Sequence, residues 1–513
     1  MKSNRKRIAG GAVLLLLLIV IATILYIKSV APPGEEWLAY QNEELTASID
    51  RQLSGVDVEG LLADKEAAVV EKSVAELQAA VARGELTYGE ITAVCLSRIN
   101  TLDQSHHGYN SVAEIAPDAM EQARRCDLER VSYQGELPPL FGIPVLFKDN
   151  INTAGIPTSA GAVAFADFVP AEDAELVTAL RAQGTVILGK NNMAEFAYFV
   201  SSVMPNGYSG NKGQTVNPFG PLKFSPSGSS SGSAVAVSAN LVPLSIGTET
   251  AGSIAGPAAA NSVVGFKPTR GSVSGEGIFP LIQEVDTPGP LAKTVEDAAL
   301  AYAALSGQTL SSGLDAGALS GASIGLAVYD YDDEAFRLAL KEKLVEAGAQ
   351  VTEVRIDGEG VQVQNIISLT FKEDFEAFTR QYGLPITQLG ELVAFNREDP
   401  KRRAQYGQDL LEEAEAVERP DRGPIKQSIE NARTTLDRLF LAYDLDAVVF
   451  LGTAGSTEVS AAGYPQLTIP FGVNARGAPH GVTFAAGYGE DEKLLRIGYA
   501  FEQAAKGRVV PGL

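Results

Sequence analysis

Val242-Pro243-Leu244-Ser245-Ile246-Gly247-Thr248-Glu249-Thr250-Ala251-Gly252-Ser253-Ile254 begins as an apolar run of strand length and closes in a turn of small residues ending on a serine. A strand that delivers a serine in a tight turn exposes a hydroxyl. It also aims successive backbone N–H groups at one point, as an oxyanion hole requires. An ordinary turn would read the same way in isolation, so the surrounding sequence has to discriminate.

Upstream lies Ser225-Pro226-Ser227-Gly228-Ser229-Ser230-Ser231-Gly232-Ser233. A flexible linker has this composition, but linkers join domains, and this run leads straight into Ala234-Val235-Ala236-Val237 and then the apolar strand. A phosphate cradle is another use of a glycine-rich turn before a helix. Here no Gly-Lys-Ser/Thr follows and no acidic metal partner is evident. Further back, Phe141-Gly142-Ile143-Pro144-Val145-Leu146-Phe147 reads as a buried strand, and it ends on Lys148-Asp149-Asn150. A lysine there either snorkels to solvent or is held inside for a purpose, because burying an ammonium is costly.

These segments together resemble the amidase signature family. The match consists of Lys148-Asp149-Asn150, the Gly/Ser-rich run, the Gly247-Thr248-Glu249-Thr250-Ala251-Gly252-Ser253 turn and Val264-Gly265-Phe266-Lys267-Pro268-Thr269. It extends over roughly 72–510, through Asp286-Thr287-Pro288-Gly289-Pro290 and Ala462-Gly463-Tyr464-Pro465, and is nearest to the peptide-amidase-like branch. The resemblance implies an amidohydrolase that cleaves a carboxylic or C-terminal peptide amide through a Ser-Ser-Lys acyl-enzyme mechanism and needs no metal or cofactor. It places the nucleophile at Ser253, the bridging serine at Ser229, the base at Lys148 and a supporting hydroxyl at Ser230. The oxyanion donors are the backbone N–H groups of Thr250, Ala251, Gly252 and Ser253. The family's spacing selects Ser229 over Ser230 as the bridge. The bond before the bridge is cis in relatives, and Gly228 would ease the crowding there. The chain departs from the family at Ala251, where relatives carry Gly or Asp, at Ala255 and Gly256, where bulkier or basic residues are common, and at Ser231, which replaces a Gly.

The chemistry is consistent with composition. Three histidines, His106, His107 and His480, sit in loop-like or turn-like sequence, which starves a Ser-His-Asp or His-metal mechanism of candidates. Two cysteines, Cys95 and Cys126, are too few for a disulfide scaffold and leave open a single bridge or two buried thiols. A formal charge of −22 disfavours nucleic-acid partners. The expected partner is therefore a small amide or peptide-amide substrate, with no obligate protein partner evident. A glutamine-amidase subunit of a tRNA-amidating complex is the alternative enzyme, and a non-catalytic protein on the same scaffold is a third reading.

The first residues suggest export. A basic tail, 1–7, precedes an uncharged apolar segment, 8–27, which as a helix would cover about 30 Å, the thickness of a bilayer core. This predicts a transmembrane signal anchor with the remainder outside the cell membrane; cleavage near Ala31 would instead release the protein. Residues 28–71 read as a stalk and 72–510 as one domain, within which 360–440 is a helical block that shapes the substrate pocket. Alternating strands and helices predict an α/β fold with a mixed, mainly parallel central sheet covered by helices. Ser73 with Glu76, and Thr87 with Glu90, predict capping boxes opening two helices.

Overall fold

Among the described residues thirteen strands form in chain order: β1 (Val112–Ile115), β2 (Pro144–Lys148), β3 (Val186–Asn191), β4 (Tyr208–Ser209), β5 (Gly213–Gln214), β6 (Leu244–Glu249), β7 (Val264–Lys267), β8 (Thr287–Ala292), β9 (Ser323–Ala327), β10 (Gln350–Val354), β11 (Ala447–Leu451), β12 (Gln466–Val473) and β13 (Pro479–Ala485). They belong to a computed structural model that describes residues 34–40, 42–311 and 313–512. Eleven strands make one sheet in the order β1-β3-β2-β6-β8-β7-β12-β13-β11-β9-β10, and β4 pairs with β5 apart from it. β2, β6 and β11 are buried along their whole length, and β2 and β11 accordingly read as near-continuous apolar runs rather than as alternating ones. Helices Val74–Ala82 and Tyr88–Arg98 both open with complete capping boxes. Cys95 and Cys126 are free buried thiols.

Three expectations change. The sheet is mixed but not mainly parallel: β3-β2, β2-β6, β11-β9 and β9-β10 are parallel, and the other six of its ten pairings are antiparallel. Periodicity missed β8, whose Pro288-Gly289-Pro290 is poor strand sequence. Tertiary contact overrides it, since a side chain at Gly289 would meet the Phe266 carbonyl oxygen of β7 at 2.0 Å.

The fold class also loses its membrane helix. No helix among the described residues is long and apolar enough to cross a membrane. The helix Gly423–Tyr443 has the length, at 21 residues, but carries Lys426, Glu430, Arg433, Asp437 and Arg438. The anchor at 8–27 and the basic tail before it lie outside the described residues.

Part of the expected stalk belongs to the main body. Helices Glu43–Gln52 and Val58–Val69 bury Leu45, Ile49 and Val69 in the core that also holds β2, β3 and β6. The block at 360–440 is helical, with Ser368–Tyr382 packing Phe371 and Phe375 against Phe165, Phe196 and Phe279.

Candidate active site

Lys148 ends β2, and β6 runs parallel beside it with Phe147 opposite Ile246. That register sets Lys148 next to Thr248 at the carboxyl ends of adjacent parallel strands, the usual place for a site in an open α/β sheet. Lys148 is fully buried. Its Nζ donates to Ser229 Oγ at 2.7 Å, to Thr248 Oγ1 at 2.8 Å and to the Thr248 carbonyl at 3.2 Å. Burial pushes its ammonium down to about 7, against the opposing pull of the Asp286 and Glu249 carboxylates.

Ser229 follows a cis peptide bond after Gly228 and is itself buried. A Cβ at Gly228 would meet the Tyr198 hydroxyl at 2.2 Å and Ser231 Oγ at 2.8 Å, so any larger residue would have to displace both side chains. Ser230 Oγ donates to the Thr248 carbonyl at 3.0 Å and accepts the Thr248 N–H at 3.3 Å. The Ser230 N–H donates to the Ser253 carbonyl at 3.2 Å, which seams the serine run to the 250–253 turn.

The turn itself is pinned at both ends. Glu249 is buried, and its Oε2 accepts the N–H groups of Ile254 at 2.7 Å and Ala255 at 2.9 Å. Its Oε1 in turn accepts Ser460 Oγ at 2.7 Å and the Gln466 amide. At the other end, Thr250 Oγ1 donates to Asp286 Oδ1 at 2.5 Å, and Asp286 Oδ2 accepts the Leu281 N–H at 2.6 Å. Burial raises the Asp286 carboxyl to about 7 in spite of these bonds. Gly252 takes φ +103°, which a side chain would strain. Among the described residues, no backbone group accepts the N–H of Thr250, Ala251, Gly252 or Ser253.

Ser253 is half-buried and opens on a cavity of about 350 Å³. Thr250, Ala251, Gly252, Ser253, Gly256, Gly228 and Ser227 line one side. Val363, Ile367 and Leu410 of the helical block also line the cavity. Ala197 and Tyr198 complete it from a left-handed run in which Phe196, Ala197 and Tyr198 have φ of 44°, 54° and 84°. Such conformations cost free energy in non-glycine residues and are concentrated at functional sites. A separate cavity of about 460 Å³ lies against Thr248 and Asp286 and does not reach Ser253.

The structure thus gathers Lys148, Gly228, Ser229, Ser230 and the 250–253 turn into one place. Thr248, Asn150, Glu249 and Asp286 were not singled out from sequence. All four stand inside motifs that the resemblance rested on, but only the fold reveals that Asn150 Nδ2 donates to Thr248 Oγ1 at 3.1 Å or that Asp286 reaches Thr250. Among the described residues, no group of His, Cys, Asp and Glu is arranged to hold a metal ion.

Known proteins share this architecture. The family model described as Amidase matches residues 90–450. An amidase family protein of Bacillus anthracis superposes with a TM-score of 0.91 at 38% identity, over 94% of this chain and 100% of its own. The native peptide amidase of Stenotrophomonas maltophilia superposes with a TM-score of 0.79 at 36% identity, over 86% of this chain and 98% of its own. The A subunit of the glutamyl-tRNA(Gln) amidotransferase of Salinispora arenicola is 32% identical over 501 residues, 86% of this chain and 99% of the relative.

Proposed function

The chain belongs to the amidase family and is a hydrolase of amide C–N bonds, and from that premise we propose that it cleaves small carboxylic amides or C-terminal peptide amides through an acyl-enzyme on Ser253. Lys148 in its neutral form takes the Ser229 proton, Ser229 takes that of Ser253, and Ser253 Oγ attacks the carbonyl carbon. The free N–H groups of the 250–253 turn receive the developing oxyanion. As the C–N bond breaks, Ser229 returns a proton to the departing nitrogen, releasing ammonia or an amine. Water, deprotonated by the same relay, then hydrolyses the ester.

The observation that carries this reading is the 2.7 Å bond from Lys148 Nζ to Ser229 Oγ at a lysine whose burial lowers its pKa to about 7. The test is ammonia release from primary amides by the purified full chain. Wild type should be active, and Ser253→Ala should be inactive while retaining the wild-type thermal unfolding midpoint. An active Ser253→Ala would dismiss the proposal.

The similarity to one component of a tRNA-dependent amidotransferase supports a second reading, in which the chain releases ammonia from glutamine for a partner. Glutamine turned over faster than every other amide offered would favour it.

A further inference from the structure

Charge is distributed unevenly around the nucleophile. The chain carries 63 acidic and 41 basic residues. Among the described residues, none of these lines the cavity on which Ser253 opens. Much of its lining is apolar: Ala197, Phe199, Leu281, Val363, Ile367 and Leu410. Phe199 packs on Phe371 with the rings tilted by 46° and their centroids 4.5 Å apart, and Phe371 packs in turn on the phenylalanine cluster behind it. The wall is therefore backed by packed aromatic rings rather than by solvated side chains. The polar side chains lining the space are the hydroxyl-bearing Tyr198, Ser227, Thr250, Ser253 and Thr453. By contrast, the neighbouring cavity against Thr248 is lined by Glu175, Glu276, Asp286 and Asp374. Charged side chains were thus available in this fold and stand on the other side of the Thr250–Asp286 bond.

A charged acyl group entering the Ser253 cavity would lose its hydration and find no counter-ion, a cost that apolar contacts do not offset. An apolar acyl group pays no such penalty and buries its own surface. Resting on the Ser253 reading above, we propose that this cavity is an acyl subsite selecting amides of uncharged, apolar acyl groups. It rejects acyl groups bearing a carboxylate or an ammonium, free glutamine among them. Leu410 and Ile367, both half-buried, line this subsite from the helical block and are its specificity-determining residues.

The test compares hexanamide with its ω-carboxylate and ω-ammonium analogues on the full chain, followed by ammonia release. We expect kcat/KM for hexanamide to exceed that for either charged analogue by about 100-fold or more. Leu410→Arg should narrow the gap for the carboxylate analogue alone, and Leu410→Asp for the ammonium analogue alone. Labelling of Ser253 by a small fluorophosphonate separates the two levels of the argument. If Ser253 labels but the three amides react alike, or hexanamide is not turned over, the acyl inference is overturned and the nucleophile stands. If Ser253 does not label, the nucleophile reading falls and takes this inference with it.

Discussion

Lys148 Nζ and Ser229 Oγ are 2.7 Å apart with both side chains buried, so the bridging serine is hydrogen-bonded to an amine that solvent does not reach. An amine in that position serves as a base only without its proton. Burial, which brings Lys148 to about 7, is what the proposed mechanism asks of it.

The pH profile follows from that value. kcat/KM should rise with pH through about 7 as Lys148 loses its proton and then level off. An initial-rate series on a neutral amide checks this; activity that falls through the same range would assign the base elsewhere.

Lys148→Met should lower kcat by about 10²- to 10⁴-fold, the usual contribution of a positioned base. It should also change how stability depends on pH. The unfolded lysine holds its proton up to its ordinary value of 10.5, and the folded one releases it near 7. Between those values the unfolded state binds more protons, so the Lys148 contribution to stability grows more favourable as pH rises. Denaturant midpoints of wild type, measured relative to Lys148→Met, should therefore increase between pH 7 and 10. A difference independent of pH would show that Lys148 titrates alike in both states.

Ser229 and Ser230 should separate. Ser229→Ala removes the relay and should cost about 10²-fold or more in kcat. Ser230 Oγ instead braces Thr248 through two hydrogen bonds, and Ser230→Ala should cost about tenfold, the scale of a neutral hydrogen bond. Single-turnover rates on one amide compare the two.

Asp286 is a positioning residue with a pH signature. It holds Thr250 Oγ1, and its charge opposes the fall of the Lys148 pKa. Asp286→Asn should move the rise in kcat/KM to lower pH, because the carboxylate that favours protonated Lys148 is gone. It should also lower the plateau by about tenfold as the oxyanion turn loosens. A lower plateau with an unmoved pH profile would make Asp286 merely structural.

Much of this site could be read from the chain because its parts are local. Lys148 ends an apolar strand, Ser229 sits in a serine run, and Ser253 closes a strand-to-turn motif, so each is marked by its own neighbours. Thr248 and Asp286 become visible only once β6 and β8 pair antiparallel and bring Glu249 opposite Thr287. The same non-local pairing hid β8, where two prolines and a glycine obscure a strand buried along its length. The capping boxes at Ser73 and Thr87 were legible for the opposite reason, since each closes within one helical turn. Strands alternating with helices suggest parallel crossovers, whereas β6, β8, β7, β12, β13 and β11 follow one another antiparallel, a pairing that local sequence does not encode.

Ser253 as the acyl-forming nucleophile is tested most directly by intact-mass measurement after exposure to a fluorophosphonate. Wild type should gain the mass of one phosphonyl group, mapped by peptide digestion to Ser253, and Ser253→Ala should gain none. Equal labelling of the two proteins, or a phosphonyl group mapped to any other residue, would contradict the mechanism.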